Sequence, residues 1–256
     1  MEKATFTKEQ LLRFLAQLDS SQEHYHTVYM KSSSFLVQRT ELTAKVGLFA
    51  DEIVGILTGE DVLMPAQLYG TGAVIFWSNT ENKNVILPPF SVLEDIVSMG
   101  RPETIPLRQL LEKERTLGLV LVAWGSYAIG VAKGNDFVEY KKGTGHIHRR
   151  HRKGGSSSKR FARRIEEQKN EFLRRVAKRV EEKFQGYSIE QIYFGGNRLI
   201  LKPLLEECPY LKSEVNRISK RFLSVRYADS EALSDNLAKI NASQVFSYAK
   251  MTCKEG

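Results

Sequence analysis

The amino-acid sequence predicts an α/β protein with a mixed sheet and a long helix after a Gly-Gly loop, plus a smaller α+β domain at the N-terminus. Three apolar runs separated by hairpin turns predict strands in the second half of the chain, and a basic segment of helical periodicity follows them. Strand and helix patterns then alternate, which is typical of a sheet covered by helices. We place the two domains at residues 1–105 and 106–256.

The N-terminal domain begins with a predicted helix. Residues 7–10 (Thr-Lys-Glu-Gln) have the pattern of a capping box, and apolar side chains then recur at helical spacing at Leu11, Phe14, Leu15 and Leu18. Residues 24–30 predict a strand, and the serines at 32–34 predict a loop. A second helix, ending near Gly59, is predicted from the apolar face formed by Leu42, Val46, Phe49, Ile53 and Leu57.

A predicted hairpin closes this domain. Its first strand, residues 73–77, follows Gly70-Thr71-Gly72, and its second, residues 85–87, ends at Pro88-Pro89. Trp77 at the end of the first strand is expected in the core.

The second domain carries the clearest strand pattern in the sequence. After a short helix at 107–114, strands are predicted at 117–124, 127–132 and 137–140, separated by the turn pairs Gly125-Ser126 and Gly134-Asn135. A long helix follows, with Phe161, Ile165, Phe172, Val176 and Val180 on its buried side. A strand at 191–194 and helices at 198–206 and 214–222 complete the prediction.

Composition limits the classes to which the protein can belong. The 256 residues are 42% hydrophobic and 27% charged, as expected of a folded chain, and the two cysteines exclude a disulfide scaffold and a cysteine-based zinc site. No signal peptide is predicted, because charges of both signs open the chain. The longest uncharged stretch, residues 116–132, is shorter than a membrane-spanning helix. We therefore expect a cytoplasmic protein with no membrane partner.

Positive charge is concentrated in one segment. The net charge is +8, yet residues 141–184 contain 16 Lys and Arg against 5 Glu, so the rest of the chain carries −3. Part of this charge fits a solvated helix with internal ion pairs, such as Glu171 with Arg175. Residues 146–153 (His-Ile-His-Arg-Arg-His-Arg-Lys) have no acidic neighbour, so we interpret the segment as a nucleic-acid-binding surface.

A glycine-serine loop lies between the strands and the long helix. Gly154-Gly155 allows backbone conformations and close approaches that other residues do not, and Ser156-Ser157-Ser158 can cap the helix that follows. Composition alone fits a flexible surface loop. The flanking arginines and lysines favour a loop held against an RNA backbone.

These segments together resemble a known family. The run 117–125, the turn at Gly134-Asn135, and Gly154-Gly155 followed by Lys159-Arg160-Phe161-Ala162-Arg163-Arg164 are similar to the middle domain of eukaryotic-type class-one peptide release factors. The resemblance extends to about Leu237 and, more weakly, includes residues 71–90. Within the superfamily it is nearest to the Vms-like release factors of the actinobacterial and chloroflexi type.

The resemblance implies peptidyl-tRNA hydrolysis, with the loop Gly154, Gly155, Ser156, Ser157 and Ser158 at the reacting ester. The family's glutamine, which helps to place the attacking water, is replaced here by Ser156, and no glutamine occurs in the loop. Vms-like members carry it one or two residues later, where Ser157 and Ser158 stand. Backbone N–H groups or a serine hydroxyl are left to orient the water, with help from ribosomal RNA and the tRNA terminal ribose.

The resemblance also implies the partners. The large ribosomal subunit, its rRNA and peptidyl-tRNA would be contacted by ten basic residues: His148, Arg149, Arg150, His151, Arg152, Lys153, Lys159, Arg160, Arg163 and Arg164. We find no stop-codon loop (Asn-Ile-Lys-Ser) in the first 100 residues and no GTPase-binding domain, and therefore expect codon-independent rescue. We also expect the protein to be a monomer. The alternatives are a non-catalytic ribosome- or tRNA-binding surveillance factor and a nuclease acting on the tRNA acceptor end.

Other candidate sites are set aside. His146, His148 and His151 are spaced like metal ligands, but no cysteine or carboxylate lies among them and the surrounding positive charge repels a cation, so neither metal nor cofactor is expected. Gly195-Gly196-Asn197 lacks a Walker pattern and is interpreted as a connection. Trp124 is expected in the core, and Cys208 has no partner pattern for a nucleophile.

Overall fold

A computed structural model of the protein describes residues 1–35, 50–80, 82–147 and 157–248. These residues form two compact units, Glu114–Lys239 and a unit that combines Met1–Lys113 with Ile240–Gly256. The units differ from the predicted division at 105/106. Leu107 and Leu111 pack into the core of the first unit, and a strand near the C-terminus joins its sheet.

The first unit is an antiparallel sheet between helices. Its strands are β1 (Glu2–Phe6), β2 (Tyr25–Met30), β3 (Ala73–Ser78), β4 (Lys83–Leu87), β5 (Ile96–Gly100) and β10 (Ser243–Ser247), in the order β1-β10-β4-β3-β2-β5. Its helices are α1 (Lys8–Ser20), α2 (Ser32–Phe35), α3 (Ala50–Thr58), α4 (Glu60–Tyr69) and α5 (Ile105–Glu112). The α1 capping box and the β3–β4 hairpin are confirmed.

Both faces of this sheet are buried, because alternate side chains of each strand face opposite helix layers. Ile75 and Trp77 of β3 pack against one layer with Ile53 and Leu57 of α3, whereas Val74 and Phe76 pack with Leu11 of α1 and its neighbours. Trp77 is therefore a core residue, as predicted.

Several predictions for this half of the chain were wrong or incomplete. Residues 32–35 form a short helix rather than a loop, and α4 was missed because Pro65 lies inside it. The strands β1, β5 and β10 were also missed. Of the predicted helix through Leu42 and Leu57, the structure describes the part from Ala50 onward.

The second unit is built on a mixed sheet, as predicted. Its strands are β6 (Thr116–Ala123), β7 (Ser126–Lys133), β8 (Asp136–Thr144) and β9 (Gln191–Gly196), in the order β8-β7-β6-β9. The first three form an antiparallel meander, and β9 pairs with β6 in parallel. Gly125 and Gly134 at the two predicted hairpin turns have φ of +93° and +59°, which glycine adopts without strain.

The helices of this unit are α6 (Ser157–Phe184), α7 (Arg198–Glu207), α8 (Pro209–Ser213) and α9 (Ser230–Asn241). The prediction of a helix at 214–222 is wrong. A 3₁₀ turn at Val215–Arg217 occupies its start, and the chain then follows β9, forming parallel bridges at Ile218 and Leu223. No helix among the described residues is long and apolar enough to span a membrane.

Helix α6 covers one face of the mixed sheet. Phe172, Val176 and Val180 are buried against Val120 and Ile129, as predicted. Phe161 was predicted on the same buried stripe, but 60% of its surface is exposed. The helical period is correct there, yet the helix begins 15 residues before Phe172, and its core side chains start only at Phe172.

This difference predicts different stabilities for two alanine variants of one helix. Phe172→Ala is expected to lower the free energy of unfolding of the second unit by about 3–5 kcal/mol, because it leaves a cavity in the core. Phe161→Ala is expected to change it by less than about 0.5 kcal/mol. Hydrogen exchange of the β6 and β7 amides measures both, and equal effects would mean that Phe161 is packed after all.

Candidate nucleic-acid interface

The N-terminal part of α6, residues 157–171, contributes none of its described side chains to the core, and we call it the helical arm. At 1.5 Å per residue, the 15 residues from Ser157 to Phe172 span about 22 Å. None of the arm side chains described, from Arg160 onward, is buried, and the buried stripe starts only at Phe172. The arm therefore presents Arg160, Phe161, Arg163 and Arg164 to solvent.

Few carboxylates neutralise the arm. Arg163 pairs with Glu167 at 2.9 Å and Lys169 with Glu166 at 3.2 Å, and the predicted Glu171–Arg175 pair is confirmed at 3.7 Å. Exposed pairs of this kind contribute at most about 1 kcal/mol each. Among the described residues, Arg160 and Arg164 have no carboxylate partner, so positive charge accumulates toward the start of the helix.

The helix dipole increases this positive potential. The first turn of α6 contains no acidic residue, and the N-terminal end of a helix carries a partial positive charge of its own. Arginines near that end are unfavourable for the isolated helix and become favourable when an anion binds there. The arm is thus suited to phosphate groups.

Aromatic packing fixes the base of the arm. The ring of Phe172 lies 6.3 Å from that of Trp124 and 6.1 Å from that of Tyr127, and the Lys169 ammonium lies 5.1 Å from the centre of the Trp124 ring. These contacts join α6 to the β6–β7 turn. Trp124 is partly buried and borders the core, which agrees with its predicted role.

The strand before the predicted loop is anchored at the same place. Gly145, next after β8, donates its N–H to the Gly125 carbonyl at 2.9 Å, and a Cβ added to Gly145 would lie 2.5 Å from the Phe172 ring. The Arg175 guanidinium donates to the Thr144 carbonyl at 3.3 Å, and Ile147 packs against the core. The same contacts therefore hold both the residues that lead into the loop segment and the base of the arm.

An ion pair holds the opposite end of α6 to the sheet. Lys183 lies 2.7 Å from Glu139 of β8, and its ammonium lowers the pKa of the Glu139 carboxyl. Gly145, Lys169 and this ion pair were not predicted from the sequence. Gly143 was the one available signal for them, since a glycine inside a strand often marks a place where another group approaches closely.

Much of the predicted site lies outside the described residues. Those residues are Gly154, Gly155 and Ser156 of the loop and the basic residues His148, Arg149, Arg150, His151, Arg152 and Lys153. Ser157, Ser158 and Lys159 are the first residues of α6, and their side chains are likewise not described. The roles of all of these remain predictions, whereas the exposure of Arg160, Arg163 and Arg164 fits an RNA contact.

Among the described residues, neither a metal-ligand cluster nor a reactive cysteine competes with this site. These residues contain no group of three His, Cys, Asp or Glu side chains placed to hold a metal ion. Cys208 is fully buried, and burial raises the pKa of its thiol, which disfavours the nucleophilic thiolate. Gly196 ends β9 with φ of +100° and Asn197 caps α7 by accepting from the Leu199 N–H, so this turn connects a strand to a helix.

The chain matches a family of translation factors. The family model described as "Actinobacteria/chloroflexi VLRF1 release factor" matches residues 115–246. The "Eukaryotic peptide chain release factor subunit 1" of Oxytricha trifallax is 30% identical over 152 residues, 57% of this chain and 32% of that protein. The "Peptide chain release factor subunit 1" of Picrophilus torridus is 27% identical over 139 residues, 53% and 33% of the two chains. The chain thus aligns with about a third of each relative's length.

Two solved structures also align with it. The archaeal translation termination factor aRF1 gives a TM-score of 0.38 at 16% identity, covering 92% of this chain and 73% of that one. The "Vms1 mitochondrial localization core" gives a TM-score of 0.38 at 14% identity, covering 87% and 96%.

Proposed function

Because the chain belongs to the actinobacteria/chloroflexi VLRF1 release-factor family, we propose that it frees stalled nascent chains from peptidyl-tRNA on the large ribosomal subunit without reading a codon. The reaction is hydrolysis of the ester between the peptide and the tRNA terminal ribose. Water adds to the ester carbonyl, the ribose oxygen leaves, and the products are a free peptide acid and an intact tRNA.

The observation that supports this proposal most strongly is the projecting arm. Its exposed Arg160, Arg163 and Arg164 follow closely on the Gly-Gly loop, and the core packs on this helix from Phe172 onward. The arm extends about 18 Å from Ser157 to Lys169, which contacts Trp124, and an arm of this length can carry a loop into a deep RNA-lined cavity. Phosphates along that cavity would neutralise the arginines that the arm leaves unpaired.

The loop chemistry proposed here does not use a glutamine. Gly154 and Gly155 would place backbone N–H groups near the ester carbonyl, where developing negative charge is stabilised by preorganised donors. A hydroxyl from Ser156, Ser157 or Ser158 would hold the attacking water, since a serine both donates and accepts hydrogen bonds. Ribosomal RNA and the terminal ribose of the tRNA would supply the remaining groups.

The three serines in place of the family's glutamine favour one other function. A chain with the same basic arm and no working loop would bind ribosomes or tRNA without releasing peptide. The two functions predict the same affinity for the large subunit and differ only in the product.

A direct test compares two substrates. Purified protein is added to isolated large subunits carrying labelled peptidyl-tRNA, and separately to whole ribosomes stopped at a stop codon. We expect peptide release from the isolated subunits. With the whole ribosomes, we expect no release that requires the stop codon. Release only from the programmed ribosomes would contradict codon-independent rescue, and stable binding without release would favour the binding-only function.

A further inference from the structure

A second basic and aromatic surface lies in the part of the second unit that follows β9. Residues 215–228 contain Arg217, Lys220, Arg221 and Arg226 and no carboxylate, but Glu214 just before them pairs with Arg217 at 2.9 Å and Asp229 follows them directly. This stretch lies outside the segment in which we located the positive charge from the sequence.

The chain crosses one edge of the mixed sheet between residues 223 and 228, which we call the crossing segment. At one end the Leu223 carbonyl accepts from the Gly196 N–H at 3.1 Å, and at the other the Ala228 N–H donates to the Ser126 hydroxyl at 3.4 Å. Gly196 ends β9 and Ser126 begins β7, with β6 between them. The segment therefore spans two strand spacings, about 10 Å.

The strand that leads into the loop ends at this same edge of the sheet. Ser126 is paired in register with Thr144, the last residue of β8, three residues before Ile147. Phe222, just before the crossing segment, packs against the same core cluster as Trp124 and Ile147. RNA that reaches the loop and the arm would pass over this edge.

Three side chains at the edge are exposed and chemically suited to RNA. The Arg198 guanidinium lies 4.8 Å from the centre of the Phe222 ring, which orients it, and it remains exposed. Arg226 is exposed, and 70% of the Tyr227 surface is open to solvent. Within the part of the chain that the structure describes, the side chains of Arg226 and Tyr227 form no hydrogen bond, ion pair or ring contact. Both side chains are therefore available to bind a partner.

We propose that Arg198, Arg226 and Tyr227 form a second RNA contact, the edge site, which binds single-stranded RNA. Tyr227 stacks on a base, and the two arginines bind the phosphates on either side of it. Stacking on an exposed aromatic beside a basic groove is the usual chemistry of sequence-tolerant single-strand binding. The inference rests on the proposed function, because it assumes that RNA approaches this side of the unit.

The test uses the full chain and two fluorescent probes, a 12-nucleotide single-stranded RNA of mixed sequence and a duplex of the same length. Tyr227→Ala is expected to weaken single-strand binding about tenfold, and Tyr227→Phe less than twofold, because phenylalanine still stacks. The double variant Arg198→Gln with Arg226→Gln is expected to lower the slope of the logarithm of the single-strand binding constant against the logarithm of the salt concentration by about 1.4 in magnitude. Lys202→Gln with Lys212→Gln, two exposed lysines of the same unit, is the matched control.

The outcomes separate this inference from the proposed function. If the Tyr227 and double arginine variants bind single strands like the parent while they still release peptide, the edge site does not exist and the release function stands. If they lose binding while the parent releases no peptide, the edge site stands and the release function fails. Equal losses for the single strand and the duplex would contradict base stacking by Tyr227.

Discussion

Replacing Arg160, Arg163 and Arg164 together by glutamate is expected to weaken binding to large ribosomal subunits at least about 100-fold. The three side chains lie on the exposed arm, and Arg163 loses only a surface pair with Glu167. Each reversal removes a phosphate contact and adds a repulsive charge, so the effects accumulate. Co-sedimentation with large subunits over a range of salt concentrations measures the loss.

A charge-matched control separates the arm from net charge. Lys178→Glu, Lys202→Glu and Lys212→Glu change the net charge by the same six units at exposed positions of the same unit, outside the arm and outside residues 215–228. This variant is expected to bind within a few-fold of the parent and to show the same salt dependence. Binding by the arm variant that equals the parent's would exclude the arm as the ribosome contact.

Alanine at Gly154 or Gly155 is expected to lower peptide release about 100-fold while ribosome binding is retained. A Cβ at either position excludes the backbone conformations with positive φ and prevents close approach in a narrow RNA-lined cavity. A displacement of about 1 Å at a reacting centre is enough for a loss of this size. Single-turnover release from stalled large subunits measures the rate, and co-sedimentation confirms that the complex still forms.

Serine variants supply the comparison for the glycine variants. Ser156→Ala, Ser157→Ala and Ser158→Ala each remove one hydroxyl whose role a neighbouring serine can share, so each is expected to cost less than either glycine change. The reverse ranking would mean that one serine side chain takes the place of the missing glutamine, and Ser156 is the first candidate by alignment. Unchanged release in every loop variant would contradict catalysis by the loop.

Local patterns were sufficient to predict the meander. The runs that became β6, β7 and β8 are separated by Gly125-Ser126 and Gly134-Asn135, and each pairing joins strands adjacent in the sequence. The predicted elements and their order therefore agree with the structure. Capping of α1 by Thr7 was equally local and was confirmed.

Non-local packing explains the errors. The short runs of β1 and β10 become strands only because they pair with each other, although nearly the whole chain separates them. Residues 214–222 have helical periodicity, but bridges to β9 at Ile218 and Leu223 hold the chain extended there. Phe161 fits the helical stripe of Phe172, and only the packed structure reveals that 60% of its surface is exposed.

Some parts of the candidate site could likewise be predicted from the sequence, whereas others could not. The basic run and the Gly-Gly pair could be read from the sequence, because charge and glycine content need no partner to be recognised. The support beneath them could not, since Trp124, Gly145 and Phe172 meet only after the sheet and α6 have packed. The proposed edge site was not predicted either, because Arg198 and Tyr227 lie 29 positions apart in the sequence and the crossing segment brings their backbones to one edge.

The central claim, hydrolysis of the ester, is tested most directly by identifying both products. Large subunits carrying peptidyl-tRNA with one label on the peptide and another on the tRNA are incubated with the protein, and the products are separated on a denaturing gel. Our account predicts free peptide and full-length tRNA in equal amounts. Peptide that still carries a tRNA fragment, or peptidyl-tRNA that remains intact, would contradict it.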